Sequence, residues 1–253
     1  LSDIFIVTVP TPINDKKQPN LEFLKSASIL IGETLSLRKS ELIPIIIFES
    51  TVFPGATEEF CVPLIENSSG LTYQKDFLCA YSPERINPGD KTKKLIDIVK
   101  ITSGCNNTCS KWVDDFYRSI INTGTYMAKS IKVAEAAKVI ENTQRDINIA
   151  LVNELSIIFS KMNIDIFDVL DAASTKWNFL DFRPGLVGGH CIGIDPYYLT
   201  WKTEQIGYKP EMILSGRKLN EKMISIFLEK IIDHLKVQNK QVKATKMLIM
   251  GAA

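Results

Sequence analysis

The chain lacks the charge imbalance and the long apolar runs that would tie it to nucleic acid or to a membrane. Its 30 Lys and Arg residues are balanced by 29 Asp and Glu residues, so the net charge over 253 residues is +1. Nucleic acids and anionic membrane surfaces select basic patches, which this balance does not favour. No apolar run approaches the roughly 20 residues of a membrane-spanning helix. The sequence therefore predicts neither a nucleic-acid partner nor a membrane partner.

Cysteine and histidine are also scarce. The five cysteines are an odd number and are spread too thinly for a disulfide scaffold, which predicts a reducing, cytoplasmic compartment. Cys105 and Cys109 are separated by three residues, but no second pair of Cys or His residues lies nearby. The sequence therefore predicts no metal site.

Short β-branched and aromatic runs alternate with helical stretches in the first half of the chain. The runs predict strands at residues 4–9, 43–48, 77–81, 99–102 and 125–127. The first two are continuously apolar, which is typical of strands that are buried on both faces. Helices are predicted from Asn20 to about Leu37 and again after Pro54-Gly55. This alternation with short connections predicts a parallel α/β sheet.

Polar motifs follow three of these strands directly: Pro10-Thr11-Pro12, Glu49-Ser50-Thr51 and Ser82-Pro83-Glu84. One such motif would be explained more simply as a helix cap. Ligands of open parallel sheets bind at the carboxyl ends of the strands. Three polar motifs at that edge therefore predict a ligand site there.

The second half of the chain is helical. Apolar residues recur at helical spacing from residue 131 to residue 162 without Pro or Gly, which predicts a helix about 45 Å long. Such a helix spans between domains or carries a dimer interface. Lys138 and Asn142 share one of its faces, although a solvated polar stripe would explain that pair alone. Further helices are predicted at 165–173 and 206–238, with an aromatic and glycine-rich loop at 177–189.

One cysteine lies in a glycine-rich turn, Gly188-Gly189-His190-Cys191, and Asp195 follows four residues later. A thiol at the N-terminus of a following helix is held towards the thiolate form, and Asp195 would lie one turn further on, on the same face. A lone cysteine is more often buried and inert. The flanking glycines and the carboxylate favour a reactive cysteine here.

Taken in order, these motifs resemble those of the UDP-glucose/GDP-mannose dehydrogenase family, over essentially the whole chain. The residues concerned are Val9-Pro10-Thr11-Pro12, Glu49-Ser50-Thr51, Ser82-Pro83-Glu84-Arg85, Lys138 with Asn142, and Gly188-Gly189-His190-Cys191 with Asp195. Residues 81–90 and 182–191 further resemble the bacterial branch that acts on UDP-N-acetylhexosamines, above all the UDP-N-acetylglucosamine 6-dehydrogenases of capsule, Vi-antigen and O-antigen synthesis.

The resemblance implies a three-part organisation. Residues 1–128 would form the C-terminal part of a Rossmann-like NAD-binding domain. Residues 129–240 would form a central all-helical dimerisation domain, with the long helix and the cysteine loop. Residues 241–253 would begin a second Rossmann-like domain, which binds the UDP-sugar, with its first strand at residues 246–250 and a glycine turn after it. The chain contains no G-x-G-x-x-G sequence to seat a pyrophosphate, so we expect it to be an internal part of a longer protein.

The resemblance also implies a chemistry: two NAD⁺-dependent oxidations of the C6 alcohol of a nucleotide sugar to the carboxylate. Cys191 matches the nucleophile that forms a thiohemiacetal and then a thioester. Lys138 and Asn142 match the pair that stabilises the oxyanion. Asp195 matches the carboxylate that holds a water molecule, and Glu84 matches the acid/base residue of thioester hydrolysis.

Further residues are assigned by the same resemblance. Thr51 matches a hydroxyl between water and cofactor, and it lines the expected NAD edge with Pro10 and Thr11. The expected substrate-side residues are Glu84, Arg85, Lys138, Asn142, Phe182, Arg183, Gly189 and Arg217. Two positions depart from relatives: Pro88 stands where some carry a second Glu, and Ile194 stands where UDP-glucose dehydrogenases carry Lys. Both departures disfavour UDP-glucose as the substrate.

Other interpretations remain open at this point. The chain could be a dimerisation and binding core that has no activity of its own. The sugar could be UDP-N-acetylmannosamine or UDP-N-acetylgalactosamine, because pocket shape sets that choice. A cysteine hydrolase built on Cys191 and His190 is disfavoured, since adjacent loop residues rarely bring an imidazole within hydrogen-bond reach of a thiol.

Overall fold

The computed structural model describes residues 2–86, 92–189 and 192–250. It divides into two compact units, the first comprising residues 1–141 and 197–206, the second residues 142–196 and 207–253. The division between the predicted domains at residues 128 and 240 stays a prediction. No helix in the described ranges is long and apolar enough to cross a membrane.

The first unit is built on parallel strands. β1 (Ile4–Val7), β2 (Ile45–Phe48) and β3 (Leu78–Tyr81) form a parallel sheet in that order. β4 (Lys100–Thr102) and β5 (Thr125–Met127) form a second parallel pair. The segment after β4 runs antiparallel beside β3, where the Cys105 amide donates to the Cys79 carbonyl at 3.0 Å. The predicted parallel α/β sheet is thereby confirmed.

Three helices accompany these strands: α1 (Glu22–Ser36), α2 (Val62–Ser69), which follows a π-helical turn at Thr57–Cys61, and α3 (Asn107–Arg118). One apolar core joins β2 and β3 to α3, with Ile45, Ile47, Ala80, Val113 and Tyr117 all buried. α3 was not predicted from the sequence. Its start is marked by Asn106, whose side chain accepts a hydrogen bond from the Cys109 amide at 2.9 Å, as N-cap residues do.

The prediction that residues 4–9 form a strand buried on both faces was wrong. β1 ends at Val7, and Ile4 and Ile6 are 37% and 46% exposed. Among the described residues β1 pairs with β2 alone, so it is an edge strand whose outer side is open. β2, in contrast, is buried along its whole length between its two neighbours.

The long helix is confirmed as α4 (Ile131–Lys161), about 46 Å long. The boundary between the two units falls within it, after Glu141. α5 (Ile166–Ser174) follows in the second unit, and its N-cap Asp165 accepts from the Phe167 amide at 2.7 Å.

The end of the chain differs from the prediction. The helix expected to follow Cys191 is α6 (Asp195–Gln205), and Asp195 is its first residue rather than lying one turn into it. α7 covers Glu211–Val237 rather than beginning at residue 206. Gly207, with φ at +81°, and Pro210 separate the two helices, since neither continues a helix readily. Residues 246–250, expected as a strand, form none in the structure, which describes no neighbouring strand to pair with them.

Candidate active site

A cavity of about 250 Å³ opens at the carboxyl ends of the parallel strands in the first unit. Four of the predicted site residues line it, namely Pro10, Thr11, Thr51 and Glu84. The other lining residues are Thr8, Val9, Glu49 and Ser50. The edge that the sequence analysis singled out thus contains a polar, hydroxyl-rich pocket, as expected for this edge of a parallel sheet.

Hydrogen bonds join the loops around this cavity. The Ser50 hydroxyl donates to the Val9 carbonyl at 2.6 Å, and the Tyr81 hydroxyl donates to the Ser50 carbonyl at 3.1 Å. The Glu84 amide donates to the Glu49 carbonyl at 3.4 Å. The second motif is therefore joined to the residue before the first motif by the Ser50 hydroxyl, and to the third motif by a backbone hydrogen bond.

An ion pair between Lys100 and the cavity-lining Glu49 was not predicted from the sequence. The Lys100 ammonium lies 3.1 Å from a Glu49 carboxylate oxygen and donates to the Pro83 carbonyl at 3.2 Å. The Tyr117 hydroxyl donates to the same Glu49 oxygen. Burial lowers the pKa of Lys100, and the Glu49 carboxylate opposes that shift. A lysine inside the short run of β4 was the available signal, because a buried strand rarely carries an unpaired charge.

Lys138 and Arg85 are also placed in the first unit. Lys138 is buried on α4. Arg85, predicted on the substrate side, is committed to other protein groups, since its Nη2 lies 2.7 Å from the Glu141 carboxylate and its Nη1 donates to the Val99 carbonyl at 2.7 Å. Arg85 therefore joins the loop after β3 to α4.

In the second unit, two predicted catalytic residues that lie far apart in the sequence meet directly. The Asn142 amide nitrogen donates to an Asp195 carboxylate oxygen at 2.6 Å. Both side chains are buried, with 8% and 3% of each residue exposed. Asp195 is the first residue of α6, where the N-terminal end of the helix favours a negative charge. Cys191 and His190 lie outside the described residues.

Arg217 belongs to a buried polar network in the second unit. Its Nη1 lies 2.5 Å from Asp146 Oδ1, and Asn220 donates to the same oxygen at 2.8 Å. Burial raises the pKa of Asp146, and the Arg217 guanidinium opposes that shift. Asn153 donates to the Asn220 side-chain oxygen and to the Gly185 carbonyl, both at 2.9 Å. The network thus reaches the loop that leads towards Cys191.

The remaining predicted substrate-side residues lie in that loop. Phe182 is half-buried, and Gly189 is exposed with φ at +79°, a backbone conformation that suits glycine. Arg183 forms ion pairs with Asp171 and Asp181, each at 2.8 Å. Because these side chains are partly exposed, the pairs contribute little stability and can exchange partners.

Two models of one protein family match the chain. Residues 1–121 match the NAD binding domain of the UDP-glucose/GDP-mannose dehydrogenase family, and residues 132–222 match the central domain of the same family. The chain belongs to this family. The match covers both the cavity of the first unit and the Asn142–Asp195 contact of the second.

Individual relatives are similar over almost the whole chain. It is 56% identical to the UDP-N-acetyl-D-glucosamine 6-dehydrogenase of Pseudomonas aeruginosa and 55% identical to that of Salmonella typhi, each over 98% of this chain. It is 50% identical to Protein CapL of Staphylococcus aureus over 99% of this chain. The chain spans 58%, 57% and 58% of the lengths of these three relatives.

A solved structure has the same architecture. The UDP-D-ManNAc dehydrogenase of Pyrococcus horikoshii superposes with a TM-score of 0.83 at 30% sequence identity, covering 94% of this chain and 55% of that one. The fold assignment therefore agrees with the family assignment.

Proposed function

We propose that the full-length protein containing this chain is an NAD-dependent UDP-N-acetylhexosamine 6-dehydrogenase, and that its substrate is UDP-N-acetylglucosamine. Two relatives that are 56% and 55% identical over 98% of the chain have that name. The observation that carries the proposed chemistry is the buried Asn142–Asp195 contact at 2.6 Å. The similarity to CapL supports a role in surface polysaccharide synthesis, and we propose a cytoplasmic location because the cysteine usage favours a reducing compartment.

The cavity of the first unit suits one part of a dinucleotide. The hydroxyls of Thr11, Ser50 and Thr51 line it and can hydrogen-bond to a ribose or a carboxamide. We propose that Pro10, Thr11 and Thr51 contact NAD there. When bound, NAD⁺ supplies the hydride acceptor for each of the two oxidation steps.

The proposed reaction needs a nucleophile and an oxyanion site. The Cys191 thiolate attacks the C6 aldehyde to give a thiohemiacetal, and oxidation of that adduct leaves a thioester on Cys191. Lys138 and Asn142 stabilise the negative charge that develops on the former carbonyl oxygen. An amide nitrogen carries two N–H groups. Asn142 can therefore donate one to Asp195, as it does in the structure, and the other to the oxyanion.

Hydrolysis of the thioester needs a positioned water molecule and a base. We propose that Asp195 holds the water, that Glu84 accepts its proton, and that Thr51 hydrogen-bonds between water and cofactor. The Asn142 donor holds the Asp195 carboxylate in one orientation, which fixes where a second hydrogen bond can be made. Water then displaces the Cys191 thiolate and releases the uronic acid.

Substrate recognition is proposed for the remaining predicted residues. Gly189 allows a close approach to the backbone, and Phe182 offers an apolar ring in the same loop. Arg183 can exchange its exposed ion pairs for a contact with the substrate. Arg85 and Arg217, which already have carboxylate partners, would act by holding the walls of the site in place.

We also propose that the protein is a homodimer that associates through α4, in a domain spanning about residues 129–240. Four apolar side chains at helical spacing on α4 are 45–54% exposed: Val133, Ile140, Leu151 and Ile158. Exposed apolar stripes of this kind mark association surfaces. The molar mass of the full-length protein in solution tests this, and a monomer at micromolar concentration would refute it.

The activity is tested by measuring NADH formation by the full-length protein with UDP-N-acetylglucosamine, UDP-N-acetylgalactosamine, UDP-N-acetylmannosamine and UDP-glucose in separate assays. The oxidation of an alcohol to a carboxylate releases four electrons, so we expect two NADH per UDP-N-acetylglucosamine consumed. C191S is expected to lose turnover, whereas C105S, which removes a thiol away from the cavity, is expected to retain it. No NADH with any of the four sugars would refute the proposal and favour a binding core without activity.

A further inference from the structure

A buried carboxylate that the proposed mechanism does not use connects α4 to the loop after β2. Glu135 is fully buried in the first unit. Its Oε2 accepts from the Gly55 amide at 2.5 Å, and its Oε1 accepts from the Thr57 amide at 2.9 Å. These partners lie 80 and 78 residues away in the sequence. Both carboxylate oxygens are therefore used to hold one distant backbone segment.

The backbone amides of this segment need a hydrogen-bond acceptor from another part of the protein. The first amide groups of a helical turn have no partner within the turn, and no local side chain caps the π-helical turn at Thr57–Cys61. Gly55, with φ at +100°, turns the chain so that its own amide points the same way. An ionised carboxylate also interacts favourably with the positive end of the turn. Glu135 thus supplies from α4 the cap that the local sequence does not provide.

The position of Glu135 relates this contact to the proposed chemistry. Thr51, which lines the cavity, lies four residues before Gly55. Lys138 follows Glu135 by three residues and therefore lies about one turn further along α4. The Glu135 carboxylate accordingly joins the two segments that carry Thr51 and Lys138.

The ionisation of Glu135 falls in the range of ordinary assays. Burial raises the pKa of Glu135 to about 7, against the lowering effect of the hydrogen bonds from Thr57 and Gly55. The other titratable groups that interact with it are Glu58 and Cys61 on the π-helical turn and Lys132 on α4. A carboxylate accepts at both oxygens, whereas a carboxylic acid presents an O–H at one of them. Protonation therefore weakens one of the two backbone contacts.

We propose that Glu135 is a positioning residue whose ionised carboxylate holds the Thr51 segment against the helix that carries Lys138, and that protonation of Glu135 loosens this segment. The structural part of the inference stands on the contacts of Glu135, and its catalytic part rests on the proposed function. The residue touches neither substrate nor cofactor. Its effect on turnover would pass through the geometry of the two segments.

Trp201 provides a readout that does not depend on activity. Its ring centroid lies 4.9 Å from that of Phe53, two residues before Gly55 in the segment that Glu135 holds. In the full-length W112F/W177F variant, Trp201 is the only tryptophan of this chain. We expect its emission to change with pH around a midpoint near 7, and E135Q is expected to abolish that transition. A transition that persists in E135Q would overturn the inference.

Steady-state kinetics test the catalytic part. At pH 8 we expect E135Q to lower kcat by ~10-fold to 100-fold, the scale of a small misplacement of reacting groups, with little change in KM for the UDP-sugar. E154Q alters an exposed carboxylate on the same helix and is expected to leave both constants unchanged. Equal kcat values for E135Q and the wild type would refute the positioning role.

Two further results separate the possible failures. If E135Q does not fold, E135D keeps the charge on a shorter side chain, and its Trp201 transition is expected at a shifted midpoint. An unchanged midpoint would count against the inference. If the wild type forms no NADH from any UDP-sugar, the proposed function fails, while the Trp201 titration still decides whether Glu135 holds the segment.

Discussion

Removal of the Arg217 guanidinium should destabilise the protein, because it leaves a buried charge unpaired in the second unit. The side chains of Arg217 and Asp146 are 6% and 0% exposed, and their closest atoms are 2.5 Å apart. In R217A the Asp146 carboxylate would remain buried with the Asn220 donor at 2.8 Å but without its countercharge. Breaking a buried pair in this way typically costs about 3–5 kcal/mol. Because Asn220 still satisfies one oxygen, we expect a loss of about 3 kcal/mol in the free energy of unfolding.

The pH dependence of the stability loss in R217A distinguishes an unpaired buried charge from a packing defect. The folded pKa of Asp146 is already raised by burial against the effect of Arg217, and in R217A it should rise further. At pH values between the unfolded and the folded pKa of Asp146, the folded state binds more protons than the unfolded state. Lowering the pH through this range therefore stabilises R217A relative to the wild type. The stability difference should therefore narrow as the pH falls from 7 towards 5.

Urea unfolding of the full-length protein, followed by circular dichroism at pH 7 and pH 5, measures both quantities. K236A is the matched control, because Lys236 and Asp233 form a pair whose side chains are 67% and 70% exposed; we expect a change below about 0.5 kcal/mol. A loss of less than about 1 kcal/mol in R217A, or a difference that does not vary with pH, would refute this account of the network.

Two further stability predictions concern the first unit. G104A should lower the free energy of unfolding by about 1–3 kcal/mol, because a Cβ at Gly104 would lie 2.5 Å from the backbone nitrogen of Ser110. The control is G185A, since a Cβ at Gly185 would meet no atom within 4 Å. Equal thermal midpoints for the two variants would contradict the steric argument. K100M should cost about 1–3 kcal/mol, less than for a fully buried pair, because the Glu49 carboxylate, whose side chain is 14% exposed, would lose its ammonium partner at 3.1 Å but keep the Tyr117 hydroxyl. An unchanged midpoint at pH 7 would show that the ion pair contributes nothing.

Local sequence patterns were sufficient to predict the elements in which side-chain burial recurs at a regular interval. The helical spacing of apolar residues predicted α4 almost to its ends, and the continuous apolar run predicted β2. Both signals reflect a period of side-chain burial that short segments carry by themselves. The order of the polar motifs after the strands likewise predicted the cavity, because parallel strands bring their carboxyl ends to one edge.

Whether an apolar side chain is buried depends on packing against other elements, which the sequence of its own segment does not specify. β1 is as apolar as β2, yet Ile4 and Ile6, which lie on the same face of β1, are exposed, whereas all four residues of β2 are buried. The helix predicted from residue 206 is interrupted by Gly207 and Pro210, which were visible in the sequence but outweighed by the apolar spacing around them.

The sequence by itself determined α1, α4 and α5, the parallel sheet and the types of side chain available for catalysis. Only the tertiary structure decided which of those side chains meet. Asn142 contacts Asp195 across 53 residues, and Glu135 contacts Gly55 across 80. Neither distance follows from any local period, because each contact depends on how separate elements pack. Local propensity sets the elements, and packing among them selects the contacts.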